Sequence, residues 1–571
     1  MEKEPLYKTA NIKDIRDMLN QSVKKYGKKT AFLVKKDGSE EYSPITYTEY
    51  KKDVDAFGTA LMSLGLSGKR IALVGENRYE WAVTYMSVIN GLGVIVPIDK
   101  ELPAHELESL LERSEANAII YSGKANETIK KLPIITQKRV KYFIGMDVEE
   151  DSNNILSFDN LIKRGSELLK KGDKSYLNTK IDSDEVRIML FTSGTTAASK
   201  AVLLSQKNLC SEIMGMSRMI YFDHNDIFLS FLPLHHTYEC TCGFLTPLYQ
   251  GASVAYCEGL RHIVKNLAES KATIMLGVPL LLESMYKRIW YQASKKWGKV
   301  MMMNMALNVS NCLRCFGINL TKVFFKELHE MLGGKVRLFI SGAAGVDPKV
   351  IKGFQDFGLM CFQGYGLTEC SPIVTVNRDI CYKNDSAGLP LPGIEVKISN
   401  PNNEGIGEIV TKGPNVMIGY YENEEATKES VKNGWFYTGD LGYLDKDGFL
   451  YITGRKKNVI VSKNGKNIFP EELEMLLNRS PYIKESMVYE KPDLDGDTII
   501  CASIVINREA IEEKATNMIT DEQIRLLIDQ EIKLVNKQVT LYKHIHDFNI
   551  REDEFIKTTT KKIKRHLELV K

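Results

Sequence analysis

The chain has no apolar run near the roughly 20 residues needed to cross a bilayer, so a spanning helix is not expected. Its N-terminus, "MEKEPLYKTANIKDIRD", has no apolar centre and so does not read as a secretory signal. The ten cysteines are too few and too scattered over 571 residues to form a disulfide framework, and they fit a reducing compartment. The one CxxC, Cys312 and Cys315, has no second pair to complete a zinc site. Two half-buried thiols one helical turn apart is the plainer expectation. A formal net charge of +3 gives no electrostatic reason to expect nucleic acid as a partner. Internal repeats and low-complexity linkers are also missing. A cytoplasmic protein is expected, with a peripheral position at a membrane surface left open.

What is present is a long chain of ordinary soluble composition, 43% hydrophobic and 26% charged, too long for a single core. Its first two thirds alternate apolar runs with amphipathic stretches. "KRIALVG", "VIVPID", "ANAIIYSG", "VRIMLFTSG", "ASVAYCEG", "ATIMLGVP", "KVRLFISG" and "LMCFQGYG" read as buried strands, many closed by glycine, and predict parallel α/β sheets. The glycine-containing turns after such strands are where open α/β sheets bind ligands. After about Gly388 the runs shorten to "GIEVKIS", "GEIVTKG" and "GFLYITG", a compact β unit. Past Arg455, at "GRKKNVI", charged helices and strands resume, and that boundary reads as a hinge within folded chain.

The most informative loop is "TSGTTAASK", residues 192 to 200, between the strands "VRIMLF" and "AVLLS". A Walker-type loop needs GxxxxGK[ST] leading into a helix; here the glycine before Lys200 and the hydroxyl after it are absent. The remaining reading is a hydroxyl-rich turn whose N–H groups and threonines wrap a polyphosphate, with Lys200 as counter-charge. Three further motifs follow in order. "GYGLTECSP" begins at Gly364, "WFYTGDLGYLDKDGFLYITGRKKNVI" carries Asp440 and Arg455, and "IKTTTKKIKRH" lies near the C-terminus.

Together these motifs resemble the adenylate-forming superfamily of acyl-CoA synthetases, adenylation domains and luciferases, over roughly residues 30 to 566. "LPLHHTYE" and "GVPLLLESMYKRI" are similar to the long-chain fatty acid–CoA ligase branch. The resemblance implies an α/β fold in two domains. Residues 1–455 would form a large N-terminal domain of two α/β subdomains plus a small β-barrel, the β-rich part spanning about 388–455. Residues 456–571 would form a small mobile α+β domain carrying the catalytic lysine.

The implied reaction has two steps. A carboxylate attacks the α-phosphorus of ATP, giving acyl-AMP and pyrophosphate; the thiol of CoA then displaces AMP. By resemblance, Thr192, Ser193, Gly194, Thr195, Thr196 and Lys200 hold the β- and γ-phosphates. Thr368 contacts the α-phosphate and Glu369 binds Mg²⁺, a hard ion suited to carboxylate oxygen. Tyr365 stacks on adenine, beside the backbone of Gly342, Ala343 and Ala344. Asp440 and Arg455 bind the ribose. Lys562 bridges the reacting carboxylate and the α-phosphate, Lys457 is the hinge, Gly465 lines the path of the thiol, and His236 gates the acyl pocket.

Each role has a plainer alternative. Thr368 and Glu369 could cap a helix, Asp440 could stabilise its own turn, His235 and His236 could be packed side chains, and the C-terminal lysines could form a solvated face. The sequence also departs from the family pattern. Ala197, Ser199 and Ala201 stand where glycine, proline and glycine are usual, and Lys561 stands where glycine precedes the lysine. A left-handed backbone at either alanine would cost roughly 1–2 kcal/mol, so negative φ is expected there.

The expected activity is therefore that of a medium- to long-chain fatty acid–CoA ligase. An acyl ligase to carrier-protein phosphopantetheine, or a catalytically weakened nucleotide- or acyl-binding regulator, remains as an alternative. Residues 286–325 mix basic residues, two tryptophans and a methionine-rich run. They fit either a bilayer-surface contact or an internal helical pair with methionine as filler.

Overall fold

The computed structural model describes residues 6–35, 39–152, 154–192, 199–461, 466–492, 498–514, 520–558 and 562–569. The chain divides into two compact units. The first comprises residues 1–286, 292–395 and 412–436, and the second residues 287–291, 396–411 and 437–571.

The first unit is built on two large sheets. One has eight strands in the order Gly419–Tyr420, Ala201–Ser205, Val186–Phe191, Val94–Ile98, Arg70–Val74, Ala118–Tyr121, Tyr142–Gly145 and Ile155–Ser157. Its central pairs are parallel, as the doubly buried apolar runs require. The other has nine strands and runs from Leu389–Pro390 through Leu338–Ser341, Ile274–Gly277 and Ile227–Ser230 to the hairpin Thr30–Lys35 and Tyr42–Thr46. The buried strands expected from the sequence are all present. What the apolar runs did not mark is the antiparallel hairpin at the edge of the nine-stranded sheet.

Helices cover these sheets through their apolar faces. The helix Tyr47–Ser63 begins at a reciprocal cap: Thr46 accepts from the Glu49 N–H, and Glu49 accepts from the Thr46 N–H. It lies so close to the helix Phe158–Lys170 that a Cβ on Gly165 would come within 1.8 Å of the Ala56 carbonyl oxygen. Only glycine allows that approach. An aromatic cluster of Phe32, Tyr50, Trp81 and Phe244 fills the adjoining core, with Phe32 and Tyr50 edge to face at 4.8 Å.

The second unit takes most of the short strands Glu395–Ser399, Gly407–Lys412, Trp435–Leu444 and Leu450–Arg455. It also contains a three-stranded sheet of Ile483–Pro492, Thr498–Ile506 and Ile545–Arg551. Helices Pro470–Leu477 and Asp521–Asn536 pack on this sheet through Leu473, Leu477, Ile524, Ile528 and Ile532. It is an α+β arrangement.

Cys312 and Cys315 lie one turn apart on the helix Lys299–Cys315, as the spacing predicted, but both are exposed rather than half-buried. Among the described residues no group of His, Cys, Asp and Glu could hold a metal ion unaided.

Candidate functional site

The loop singled out in the sequence is the connection of an antiparallel hairpin. Val186–Phe191 pairs with Ala201–Ser205, and Phe191 stands opposite Ala201. The Thr192 N–H donates to the Lys200 carbonyl at 2.9 Å and closes the hairpin base. Ser193, Gly194, Thr195, Thr196 and Ala197 lie outside the described residues, as do Gly465 and Lys561. Ala201 is a buried strand residue, so this position has the negative φ expected of it. Ser199 is held from outside the hairpin: Arg113 donates to its Oγ at 3.0 Å and also to its carbonyl oxygen. Arg113, Lys200, Phe191 and Tyr421 help line a cleft of about 430 Å³.

Strand pairing brings a further residue to the loop. Gly419–Tyr420 adds to the sheet edge, with Tyr420 opposite Val202. The Lys200 ammonium lies over the Tyr420 ring, 4.6 Å from its centroid. The Tyr420 hydroxyl donates to Glu369 Oε1 at 2.9 Å. Burial first, and then the neighbouring Glu369 charge, raises the phenol well above its ordinary range, so it remains a donor. Lys200 and Glu369 thus meet at one tyrosine, which the sequence motifs do not include.

Thr368, Glu369 and Cys370 form one 3₁₀ turn rather than the cap of a longer helix. The Met417 N–H donates to the Glu369 carbonyl at 2.8 Å. Buried Asn415 donates to the Cys370 and Ile373 carbonyls, and the Ser371 hydroxyl donates to the Asn415 carbonyl. Beneath the turn, the Ile373 N–H donates to the buried carboxyl of Glu212 at 2.8 Å. Burial pushes the Glu212 carboxyl well above its usual range, against the lowering effect of the Ile373 N–H and Asn415.

Tyr365 lies in the strand Met360–Gly366 and is buried, while Gly342, Ala343 and Ala344 follow the parallel neighbour Leu338–Ser341. The backbone of Ala343 is left-handed at φ 75°. A Cβ on Gly342 would meet the Tyr238 ring at 2.8 Å, and the Tyr238 hydroxyl donates to the Ile340 carbonyl at 2.9 Å. The "HHTYE" segment therefore packs directly against the "SGAAG" turn.

His235 and His236 stand with ring centroids 4.2 Å apart. Burial, aided by Lys100, pushes His235 down to about 3, so its imidazole is neutral at working pH. Its Nε2 is 3.8 Å from Asp99 Oδ2. The segment is clamped by Asn77, which donates to Ser230 Oγ and the Leu232 carbonyl and accepts from the Leu234 N–H. Next to the histidines lies Glu239, 1% exposed, whose carboxyl burial pushes up to about 8 while Ser230 draws it down.

Within the second unit, Asp440 and Arg455 stand opposite each other on paired strands, with Arg455 Nε 2.9 Å from Asp440 Oδ1. Asp440 is buried and Arg455 exposed. Lys457 is exposed on the 3₁₀ turn that follows. Lys562 is exposed: the Thr558 N–H donates to the Lys562 carbonyl, and the backbones of Lys557 and Ile563 form an antiparallel β-bridge. Lys557 forms a mostly buried ion pair with Glu485 at 2.6 Å and a second contact with Glu554 at 2.9 Å. Burial opposes the charge of Lys557, but the two carboxylates outweigh it and hold the ammonium above its ordinary range. Of these two lysines, Lys557 is held in ion pairs away from solvent and Lys562 is exposed.

In the first unit Lys200 and Glu369 both contact Tyr420, and in the second Asp440 pairs with Arg455. The AMP-binding enzyme family model matches residues 19–421, and the chain belongs to that family. It is 28% identical over 564 residues to a long-chain-fatty-acid–CoA ligase of Mycobacterium bovis, covering 92% of this chain and 90% of that protein. It is 25% identical over 639 residues to a chloroplastic long-chain-fatty-acid–[acyl-carrier-protein] ligase of Arabidopsis thaliana, covering 99% and 86%. In fold it is similar to an anthranilate CoA ligase solved with anthranoyl-AMP, with TM-score 0.75, 19% identity and coverage of 99% and 97%.

Proposed function

We propose that the protein is an ATP-dependent acyl-CoA synthetase acting on medium- to long-chain fatty acids. The observation that carries this reading is Tyr420 contacting both Lys200 and Glu369. Joining a carboxylate to a polyphosphate brings anions together, and the main requirement is fixed positive charge and donors rather than proton transfer. Lys200 and the loop N–H groups would neutralise the β- and γ-phosphates, and Thr368 would donate to the α-phosphate. Glu369 has the hard oxygen donors that Mg²⁺ favours and would hold it together with phosphate oxygens. When bound, the ion would supply charge neutralisation at the phosphates.

Tyr365 and the turn Gly342, Ala343 and Ala344 would hold adenine, and Asp440 with Arg455 would hold the ribose. Lys562 would bridge the fatty carboxylate and the α-phosphate, a task suited to a flexible ammonium. The carboxylate oxygen forms a bond to the α-phosphorus as pyrophosphate leaves. The thiolate sulfur then bonds to the acyl carbon as AMP leaves, with Gly465 beside the thiol path, Lys457 as the hinge and His236 as gate of the acyl pocket. The resemblance of the Arabidopsis ligase supports a second reading, in which the thiol belongs to a carrier protein's phosphopantetheine.

The test is mass spectrometry of the protein incubated with ATP, Mg²⁺ and a fatty-acid chain-length series, with CoA or carrier protein as acceptor. Acyl-adenylate without acceptor and acyl-CoA with CoA are expected. Adenylate discharged only by carrier protein would select the second reading. No adenylate with any acid would overturn both and leave a nucleotide- or acyl-binding regulator.

A further inference from the structure

The helix Lys299–Cys315 is amphipathic in the reverse of the usual sense. Met301, Met302, Met305, Val309, Cys312 and Phe316 fall within about 100° of arc at 3.6 residues per turn. All six are exposed, Met301 at 68% and Phe316 at 76%. Met303 and Ser310, on the opposite side, are the buried ones. Of the two readings of the methionines, the internal filler fits Met303 and does not fit Met301, Met302 and Met305. Trp297, fully exposed at 103%, and Val323 at 69% are further exposed apolar residues before and after the helix in sequence. A contiguous apolar face of this kind marks an interaction surface, whereas scattered exposed apolar residues do not.

Charge selects the occupant. From Gln292 to Lys326 the chain has six Lys and Arg and no Asp or Glu, in a protein of net charge +3. Among them Lys299 contacts Glu327, Arg314 contacts Asp356 and Lys326 contacts Glu330. Lys296 and Lys322 are exposed, one on either side of the helix in sequence. A second copy of the same face would set these cations against one another. We infer that this face docks on the surface of an anionic lipid bilayer, with Met302, Met305, Val309 and Phe316 entering the acyl boundary and the lysines meeting the headgroups. Among the described residues no helix is long and apolar enough to cross a membrane, so the contact is interfacial.

The test is co-sedimentation of the full chain with phosphatidylcholine vesicles, with and without phosphatidylglycerol. Binding to the anionic vesicles should be about tenfold or more tighter and should weaken as salt rises. Two variants separate the contributions. Val309→Glu with Phe316→Glu should weaken binding about tenfold or more on both vesicle types. Lys296→Gln and Lys322→Gln together should reduce the preference for phosphatidylglycerol at least severalfold.

All these positions are exposed, so the thermal midpoint and adenylation of a short, water-soluble acid should be unchanged. Those readouts also keep a failure here distinct from a failure of the proposed reaction. Wild-type protein that stays in the supernatant, or binds equally after both sets of changes, would overturn the inference. So would a dimer in sedimentation equilibrium that Val309→Glu and Phe316→Glu converts to monomer.

Discussion

Tyr420 donates its hydroxyl to Glu369 while its ring lies beneath the ammonium of Lys200. One side chain thus fixes the position of a carboxylate and a cation that are distant in sequence. A hydrogen bond to a charged group contributes about 1.5–3 kcal/mol. Tyr420→Phe should therefore slow ATP-dependent pyrophosphate release by roughly 10- to 100-fold, at about 1.4 kcal/mol per decade. Combined with Glu369→Gln, the loss should be far less than the product of the single effects, because both remove the same contact. Additive losses would show that the two residues act separately.

The two lysines of the C-terminal turn should separate cleanly. Lys562→Met should reduce acyl-adenylate formation by about 1,000-fold or more, the scale of losing a fixed charge at the reacting phosphate, with ATP affinity and the thermal midpoint retained. Lys557→Met should leave Glu485 buried without its cation and destabilise the second unit by about 3–5 kcal/mol. Calorimetry and ATP titration of both variants check the pair.

Glu239 makes a pH-dependent prediction. Its folded carboxyl is raised from an ordinary 4.5 to about 8, so between those values the folded chain holds a proton that the unfolded chain has released. Stability then falls as pH rises through this window. The unfolding free energy of wild type minus that of Glu239→Gln should fall with a slope approaching about 1.4 kcal/mol per pH unit, then flatten above pH 8. Urea midpoints measured from pH 5 to 8 test the sign. An unchanging difference would mean that the carboxyl ionises normally.

Ala343 holds a left-handed backbone that glycine adopts without strain. Ala343→Gly should stabilise the folded protein by up to about 1 kcal/mol, the left-handed penalty of roughly 1–2 kcal/mol less the extra chain entropy of glycine. A drop in thermal midpoint would show that the alanine methyl makes a contact of greater value.

Much of the first unit was legible because its strands are buried on both faces and read as unbroken apolar runs closed by glycine. The Asp440–Arg455 pair could be read from the motif that contains both residues. Tyr420 could not, since a Gly-Tyr-Tyr stretch carries no chemical signature until strand pairing sets it beside Val202. Asn77, Glu212 and Arg113 were missed for the same reason: each acts on a loop far away in sequence. Exposure was the other gap. The sequence showed a methionine-rich run within 286–325 but not which way it points, so a bilayer contact and an internal pair both stayed open, and the cysteine pair was expected further inside than it is.

Tyr238 stands two residues beyond His236 and presses its ring against Gly342, where no larger residue would fit. The segment assigned to sensing the acid and the turn assigned to cradling the base therefore share a bearing surface. A chain of the wrong length that shoved the histidines aside would be felt at the nucleotide as a shift in its seat. Selectivity for the acid would then register in the apparent affinity for ATP as well as in the affinity for the acid itself.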